Sequence, residues 1–351
     1  MKNQRYLRNA STIKIVAALI LTAFMLPVIA CVFGIDLVTG GVTCAAGLTL
    51  LDVAKRTGND ATIGVIEEVT TYAPEVRSFP ARPKAGTSYK LFQRTGLPTG
   101  SFRDANAGTS LVKSSSAQKL AQMFFFDCQL QLDEAVQKAD TGELGDLLAD
   151  ETVAAVEGSM ITLGNQVWYG ANATDKGFDG LKNFLTDEVD AGGSGGAYSS
   201  AYLVWLDPSY KGVFFDVGNN GDMAFGEWMK QQITDPNDAT KRLMAWVNNM
   251  SFYLGLNIGS DKSVWRAKKL TTAAPLTDAV GASVLAKVPM TRRANLRWFM
   301  NPTAALQLQK SRSSIGNQKS NSAGDAWAPQ PTELSGVPII LTDSLSAAET
   351  A

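Results

Sequence analysis

The chain has 351 residues, of which 45% are hydrophobic and 19% are charged, and its formal net charge is -1. This composition is typical of a globular protein with room for about two domains, and it excludes an intrinsically disordered chain. The sequence contains no histidine, which excludes a Ser-His-Asp triad, a Cys-His dyad and histidine-ligated zinc. Its three cysteines are too few for an all-cysteine zinc site. These observations argue against an enzyme, a metal site and a cofactor.

The first 46 residues form an apolar leader. Four basic residues precede Ile15–Ile35, a run of 21 residues without a charge. Such a run is long enough to span a bilayer and resembles a signal peptide. Val28–Cys31 also fits a lipoprotein cleavage site with Cys31 as the lipidated residue. The residues leave three interpretations open: a membrane leader, an apolar arm buried in an assembly, and a start codon assigned too far upstream.

The next two segments change from compact to extended patterns. Residues 47–80 begin with apolar positions at helical spacing and become extended at Pro74 and Pro80. Residues 81–116 have few large apolar side chains and many turn formers, with weak alternation over Tyr89–Arg94. We predict a long hairpin that projects from the body. Because such a hairpin has no core of its own, it needs a partner surface.

A long helix is the clearest element of the sequence. Asp140 and Glu143 have the spacing of a capping box, and apolar residues then recur at helical spacing as far as Val167. This pattern predicts a helix of about 20–25 residues. A short helix is predicted over Asp133–Asp140. The glycine-rich run 191–196 is typical of a flexible linker, since it lacks the Gly-Lys-Ser/Thr ending of a phosphate loop.

The second half interleaves strands and helices without regular βαβ spacing, which favours an α+β fold. Two apolar strands in 200–217 are predicted to form a hairpin around Asp207–Ser209. The remaining predicted elements are a β region (249–270), a helix (276–288), a strand (296–300), a helix (303–308), a loop (311–331) and a last strand (336–343).

A calcium loop and a reactive cysteine are the candidate chemical sites, and both have simpler interpretations. Asp216, Gly218, Asn220, Gly221 and Glu227 nearly match an EF-hand template, but glycine occupies the third position and the flanks resemble strands. A polar turn is therefore favoured. Cys128 follows three phenylalanines, which is typical of a buried structural cysteine.

The charges are distributed unevenly along the chain. Residues 77–113 carry seven basic residues against one acid, and 127–157 carry nine acids against one lysine. They are either unrelated solvated faces or complementary surfaces that dock between subunits. The candidate interface residues are Arg82, Lys84, Lys90, Arg94, Arg103 and Lys113 on the basic side, and Glu143, Asp146, Asp150, Glu151 and Glu157 on the acidic side. A third patch, with Arg292, Arg293 and Arg297, is either a phosphate-contacting surface or a solvated loop.

The order of these parts resembles a known family. The stretches that carry the resemblance are T-L-L-D-V-A-K-R-T-G-N-D (49–60), A-R-P-K-A-G-T-S-Y-K (81–90), F-D-G-L-K-N-F-L (178–185), S-A-Y-L-V-W-L-D (200–207), R-W-F-M-N-P (297–302) and G-V-P-I-I-L-T-D-S (336–344). Together they resemble the major capsid proteins of tailed bacteriophages, which have the Hong Kong 97-like fold.

The resemblance implies a division of the chain into named parts. These are a leader of doubtful status (1–46), an N-arm (47–80), an E-loop that lies over a neighbouring subunit (81–116), a P-domain with a spine helix from Glu143 (117–275) and an A-domain (276–351). It implies no catalytic site. Because capsid subunits assemble in the host cytoplasm, it favours a start codon assigned too far upstream over a membrane segment.

The resemblance also implies a function. The chain is expected to form pentamers and hexamers of an icosahedral head shell around packaged double-stranded DNA, with portal and scaffolding proteins as further partners and without a membrane. The DNA contact is expected to be non-specific, through the patch with Arg292. Two alternatives stay open: an encapsulin-type cellular compartment, which shares the fold, and a membrane-anchored lipoprotein.

Overall fold

The computed structural model describes residues 48, 52, 56, 69, 71–140, 142, 146–185, 187–218, 224–235, 238–316 and 329–349. All of them belong to one compact unit, Gly47–Ala351. The predicted leader and Glu143 lie outside the described residues. The domain boundaries inferred from the sequence stay predictions.

The described residues form helices and strands in a mixed order, which confirms the α+β prediction. The helices are α1 (Glu75–Ser78), α2 (Glu134–Ala139), α3 (Leu147–Tyr169), α4 (Asn172–Asp175), α5 (Asp278–Lys287) and α6 (Pro302–Gly316), with 3-10 helices at Leu181–Phe184 and Met290–Arg292. The strands are β1 (Ala81–Pro83), β2 (Ser88–Gly96), β3 (Ser115–Gln122), β4 (Phe124–Asp133), β5 (Asp187–Asp190), β6 (Ser199–Trp205), β7 (Val213–Val217), β8 (Ala224–Phe225), β9 (Met229–Asp235), β10 (Asp238–Ile258), β11 (Val264–Leu270), β12 (Leu296–Met300), β13 (Glu333–Leu334) and β14 (Val337–Leu341).

Within the described chain these strands form two large sheets and one hairpin. The first sheet has the order β1-β7-β10-β4, with β8 and β9 also paired to β10. The second has the order β13-β14-β12-β6-β11-β5, and β2 pairs only with β3. Strand β10 is 21 residues long, so it pairs with β4 along one edge and with β9, β8 and β7 in succession along the other.

Helix α3 matches the predicted spine helix in length but begins later. It has 23 residues, and Asp146 caps it by accepting a hydrogen bond from the backbone N–H of Leu148 at 3.1 Å. The helix therefore begins after Asp146 and not at the predicted capping box at Asp140, because the Asp146 carboxylate accepts from one of the free N–H groups of the first turn. Leu163, Val167 and Trp168 form the buried stripe of α3.

Strand β6 separates two hydrophobic cores. Tyr202 and Val204 point into the first core, with the buried stripe of α3, and Ala201 and Leu203 point into the second. Successive side chains of a strand point to opposite faces, so a strand buried on both faces shows a continuous apolar run. This explains the A-Y-L-V-W sequence. The second core is closed by α5 and α6 through Val284 and other buried side chains.

Two predictions of local structure were wrong. Strands β6 and β7 do not form a hairpin, because they belong to different sheets. The connection turns at Tyr210, which has a φ of 58°, and passes Gly212 so close to the Trp205 carbonyl that a Cβ would lie 2.2 Å from it. The predicted loop 311–331 also begins later, since α6 continues to Gly316.

Candidate functional site

The basic segment forms an exposed hairpin, but its second strand, β3, begins at Ser115 and so lies almost wholly beyond the predicted end at residue 116. Strands β2 and β3 pair antiparallel from Ser88 opposite Gln122 to Gly96 opposite Ser115. Residues 97–114 connect them, and every side chain of this connection is exposed. We call β2, β3 and their connection the E-loop hairpin. Its stability has to come from its base, because an isolated two-stranded hairpin is marginal in water.

The base of the E-loop hairpin is anchored on a buried carboxylate. Asp216 of β7 is fully buried and accepts hydrogen bonds from Arg82 Nε and Asn257 Nδ2, both at 2.6 Å, and from the Tyr89 hydroxyl. Burial and the neighbouring Asp216 raise the pKa of Tyr89, so its hydroxyl keeps its proton. Arg82, a predicted interface residue, is therefore held inside the subunit, and so is Asp216 of the calcium template.

Both strands of the hairpin are also tied to the turn after β10. The Gln93 side chain donates to the Gly259 carbonyl at 2.7 Å, and Lys119 pairs with Asp261 at 3.1 Å. The hairpin is thus attached to the body along its length, while the connection beyond it remains open to solvent.

The other basic residues of this segment differ from Arg82. Lys90, Arg94 and Lys113 are exposed and form no ion pair with any described residue. Arg103 donates to the Ala107 carbonyl at 2.8 Å within the connection, and the Lys84 ammonium lies 5.0 Å from the Tyr89 ring centre. These charges are open to a partner, as the sequence predicts, although their role at an interface stays a prediction.

The acidic residues of the spine are largely used within the subunit. Asp146 caps α3, and Asp150 lies 2.7 Å from Arg56. Glu151 is half-buried, and that burial raises its pKa. Of the acidic residues predicted for this surface, Glu157 is exposed and forms no ion pair with a described residue. In the described structure, α3 therefore has fewer exposed, unpaired carboxylates than the sequence indicates.

The third basic patch is only partly open. The Arg292 guanidinium lies 5.1 Å from the Trp205 ring centre and donates to the Lys262 carbonyl. Arg297 is half-buried and donates to the Leu296 carbonyl at 3.0 Å. Arg293 is exposed. Within this patch Arg293 is therefore the residue that is most available to a phosphate.

A buried glutamate that sequence analysis missed joins three segments. Glu75 of α1 is fully buried, and its carboxylate accepts hydrogen bonds from Trp168 Nε1 at 2.7 Å, from the Thr342 hydroxyl and from the Ser344 hydroxyl at 3.5 Å. It therefore connects α1 to α3 and to the segment after β14. The sequence held one signal for this site, because Thr342 and Ser344 are polar residues next to the apolar run of β14. Burial raises the pKa of Glu75, while its hydrogen-bond donors oppose that shift.

Glu75→Gln should therefore gain stability relative to the wild type as the pH rises. A carboxyl group whose folded-state pKa is raised stabilises the fold below its ordinary pKa, and that contribution is lost as the pH rises through the folded value. Urea unfolding of both proteins at pH 5 and pH 8 measures the change. Glu157→Gln is the matched exposed control and should show no such trend. If the unfolding free energy of Glu75→Gln fell relative to that of the wild type between pH 5 and pH 8, the assignment would be contradicted.

A second buried carboxylate holds the C-terminal segment. Glu349 pairs with Arg266 and accepts hydrogen bonds from the Tyr169 hydroxyl and from Ser200 at 2.7 Å. Its backbone forms an antiparallel bridge with Tyr198. The end of the spine helix, the second sheet and residue 349 are thus joined at one point.

A family model described as major capsid protein GP7 matches residues 59–351. The chain belongs to this family. It is a shell-forming phage major capsid protein, and it is located in the shell of the virion. The match covers the hairpin, the spine helix and both large sheets.

A chain of the bacteriophage Epsilon15 structure confirms the Hong Kong 97-like fold. It has a TM-score of 0.68 and 16% identity, and the alignment covers 89% of this chain and 99% of that chain. The capsid of phage XM1 has a TM-score of 0.43, 9% identity and coverage of 66% and 100%. The SrpI encapsulin of Synechococcus elongatus has a TM-score of 0.44, 12% identity and coverage of 63% and 96%. It is the family match that favours the phage capsid over the encapsulin alternative.

No curated protein sequence matches the chain. In the part of the chain that the structure describes, no helix is long and apolar enough to cross a membrane. Within the same residues, no group of three or more Cys, Asp or Glu side chains is arranged to hold a metal ion.

Proposed function

We propose that the chain assembles as pentamers and hexamers into the icosahedral head shell that encloses the double-stranded DNA of a tailed phage, and that assembly takes place in the host cytoplasm. The E-loop hairpin is the observation that carries this proposal. It is anchored along its length, while Lys90, Arg94 and Lys113 are exposed and form no ion pair with a described residue. A surface with exposed, unpaired basic side chains can bind an acidic surface of a neighbouring subunit. Portal and scaffolding proteins are the further partners that we propose.

The division into N-arm (47–80), E-loop (81–116), P-domain (117–275) and A-domain (276–351) is part of the proposal. Each of the two hydrophobic cores takes side chains from both sides of residue 276, such as Phe299 in the first core and Trp265 in the second, so the P-domain and A-domain pack as one body. The second sheet takes β5, β6 and β11 from before residue 276 and β12, β13 and β14 from after it. The A-domain therefore has to share its sheet with the preceding segment.

The proposed contact between subunits is electrostatic in origin. Lys90, Arg94, Arg103 and Lys113 of one E-loop hairpin face the acidic side of the neighbouring spine helix, where Glu157 is open and Glu151 is half-buried. Complementary charges at such a contact steer association and fix the register between subunits. Exposed charges are screened by salt over about 8 Å at physiological ionic strength, so this contribution should weaken as salt is added.

Reversal of two hairpin charges tests the proposal. Arg94→Glu with Arg103→Glu should block shell assembly, because like charges then meet across the contact. The monomer should keep its melting temperature, since neither side chain forms an ion pair within the described subunit. Shell yield is measured by sedimentation and electron microscopy.

Lys211→Glu with Lys310→Glu is the matched control. Both lysines are exposed and lie outside the hairpin, so the change in net charge is the same. The control should assemble normally. Shells at normal yield from the Arg94 and Arg103 variant would contradict electrostatic docking.

We further propose that the patch with Arg292, Arg293 and Arg297 faces the packaged DNA and contacts its phosphates without sequence preference. Arg293→Gln should reduce the slope of log affinity against log salt by about one for duplex DNA, because one phosphate contact is lost. Lys211→Gln, an exposed lysine elsewhere on the subunit, should leave the slope unchanged. A slope unaltered by Arg293→Gln would contradict the assignment.

A further inference from the structure

One face of the first sheet is open to solvent and carries a groove. Phe124 and Phe126 of β4 pack against the first core, so the odd-numbered side chains of β4 point to the opposite face. A groove of about 660 Å³ crosses that face where β9, β10 and β4 lie side by side. Its volume falls in the range of about 300–1,000 Å³ that is typical of small-molecule sites.

The groove is lined by polar side chains that the subunit does not use. They are planar amides and carboxylates, namely Gln129, Gln231, Asn249, Asp127 and Glu227. All five are exposed, and their side chains form no hydrogen bond or ion pair with a described residue. Several free donors and acceptors in one groove indicate a ligand that is rich in hydrogen-bonding groups.

The floor of the groove adds a buried acceptor. Asn248 is 6% exposed, and its Oδ1 atom has no hydrogen-bond partner among the described residues. Gly226 lies beside it in the groove lining, and the position that a Cβ would occupy there is 3.1 Å from Asn248 Oδ1 and 3.0 Å from the Asn249 carbonyl oxygen. A ligand hydroxyl in that position would have two acceptors at hydrogen-bonding distance. The lack of a side chain at residue 226 thus leaves space for such a group.

Apolar surface accompanies these polar groups. Met229, 63% exposed, and Val247 both line the groove. Phe125 precedes Asp127 by two residues on β4, so its ring lies on the same face of the sheet. That ring is 63% exposed, and its centre lies 4.0 Å from the ring centre of Tyr253. An exposed aromatic ring beside polar groups can pack against an apolar surface of a ligand.

The charges of the groove restrict the chemical class of that ligand. Asp127 and Glu227 line the groove, and among the described residues no lysine or arginine lines it. A phosphate, a sulfate or a nucleic acid would therefore meet two carboxylates without a counter-charge, which is unfavourable. Neutral hydroxyl groups donate to carboxylates in charge-assisted hydrogen bonds, which are about twice as strong as neutral ones. A pyranose ring combines such hydroxyls with an apolar C–H face.

We infer that the groove on the open face of the first sheet binds a neutral saccharide. The hydroxyls of one sugar ring bond to Asp127, Glu227 and the buried acceptor behind Gly226, and an adjoining ring packs against Phe125. This inference adds a ligand to the shell subunit and goes beyond the proposed shell function. It does not depend on assembly, so a failure to form shells would bear on the proposed function alone.

Titration of trisaccharides into the purified full chain tests the inference. Maltotriose, cellotriose and chitotriose are followed by saturation-transfer NMR and calorimetry. At least one should bind, and its dissociation constant should change by less than about twofold between about 50 and 500 mM salt, because an uncharged ligand is not screened. No binding of any of the three at about 10 mM, a concentration that detects even millimolar affinity, overturns the inference. Hexalysine is the charged comparison, and a groove that binds hexalysine but none of the trisaccharides overturns it as well.

A matched pair of variants locates the site. Asp127→Ala with Gln129→Ala should weaken binding of that trisaccharide by about tenfold or more, since two groups that bond to the ligand are lost. Asp104→Ala with Gln118→Ala is the control, because both residues are exposed and lie in the E-loop hairpin, outside the groove. The control should bind as the wild type does. Equal affinities of the two double variants overturn the inference.

A second variant keeps the test decisive if the first pair fails to fold. Phe125→Ala should weaken trisaccharide binding by about threefold or more, because the stacking surface for the adjoining ring is lost. Phe102→Ala removes a fully exposed ring elsewhere in the chain and should leave the affinity unchanged. Equal affinities of these two variants overturn the inference.

Discussion

Trp168→Ala should lower the unfolding free energy of the subunit by about 3–5 kcal/mol, which is the usual cost of truncating a fully buried tryptophan. The Trp168 ring has no exposed surface and lies 4.9 Å from the Tyr202 ring centre and 5.4 Å from that of Phe299. Its truncation leaves a cavity between the spine helix and β6. It also removes the N–H donor of the buried Glu75.

Two controls separate these effects in urea unfolding experiments. Trp168→Phe keeps a ring in the core but removes the donor, so it should cost less than the alanine variant. Phe125→Ala changes a ring that is 63% exposed and should cost about 1 kcal/mol or less. A loss from Trp168→Ala as small as that from Phe125→Ala would contradict the central place of Trp168 in the first core.

Arg266→Met should be comparably destabilising, with a loss of about 3–5 kcal/mol. The Arg266 side chain is 5% exposed and that of its partner Glu349 is 1% exposed. Without the guanidinium, the buried Glu349 carboxylate keeps the Tyr169 and Ser200 hydroxyls as donors but loses its counter-charge. An unpaired buried charge is costly, because it has lost its hydration without regaining a counter-charge.

The control for Arg266→Met is an ion pair at the surface. Arg312 pairs with Asp278 at 2.6 Å, and their side chains are 28% and 49% exposed, so Arg312→Met should cost about 1 kcal/mol or less. Glu349→Gln added to Arg266→Met should recover part of the loss, since both charges of the pair are then gone. Equal losses at the buried and the exposed arginine would contradict the buried network.

Elements defined by local patterns could be predicted from the sequence. The spine helix follows from apolar residues at helical spacing, and the E-loop hairpin follows from turn formers and the lack of a core. Both patterns are set by residues that lie close together in the sequence. The antiparallel pairing of β9 with β10 was missed, although the sequence D-P-N-D at 235–238 is a turn signal.

Strand partners and the use of charges could not be predicted in the same way. Strands β6 and β7 are neighbours in sequence yet lie in different sheets, because their pairing depends on distant strands such as β10 and β12. Asp150 and Arg82 look like free surface charges in the sequence, but Arg56 and Asp216 pair with them. Such pairs join residues far apart in the chain, so a charge pattern along the sequence overstates the charge that remains free.

Electron microscopy of the purified chain tests the central claim most directly. The protein is expressed alone, both at full length and as Gly47–Ala351, the unit that contains every described residue. The account predicts closed shells of uniform diameter from Gly47–Ala351, with the E-loop hairpin of each subunit lying on a neighbour. Protein that remains monomeric or forms only irregular aggregates in both preparations would contradict it.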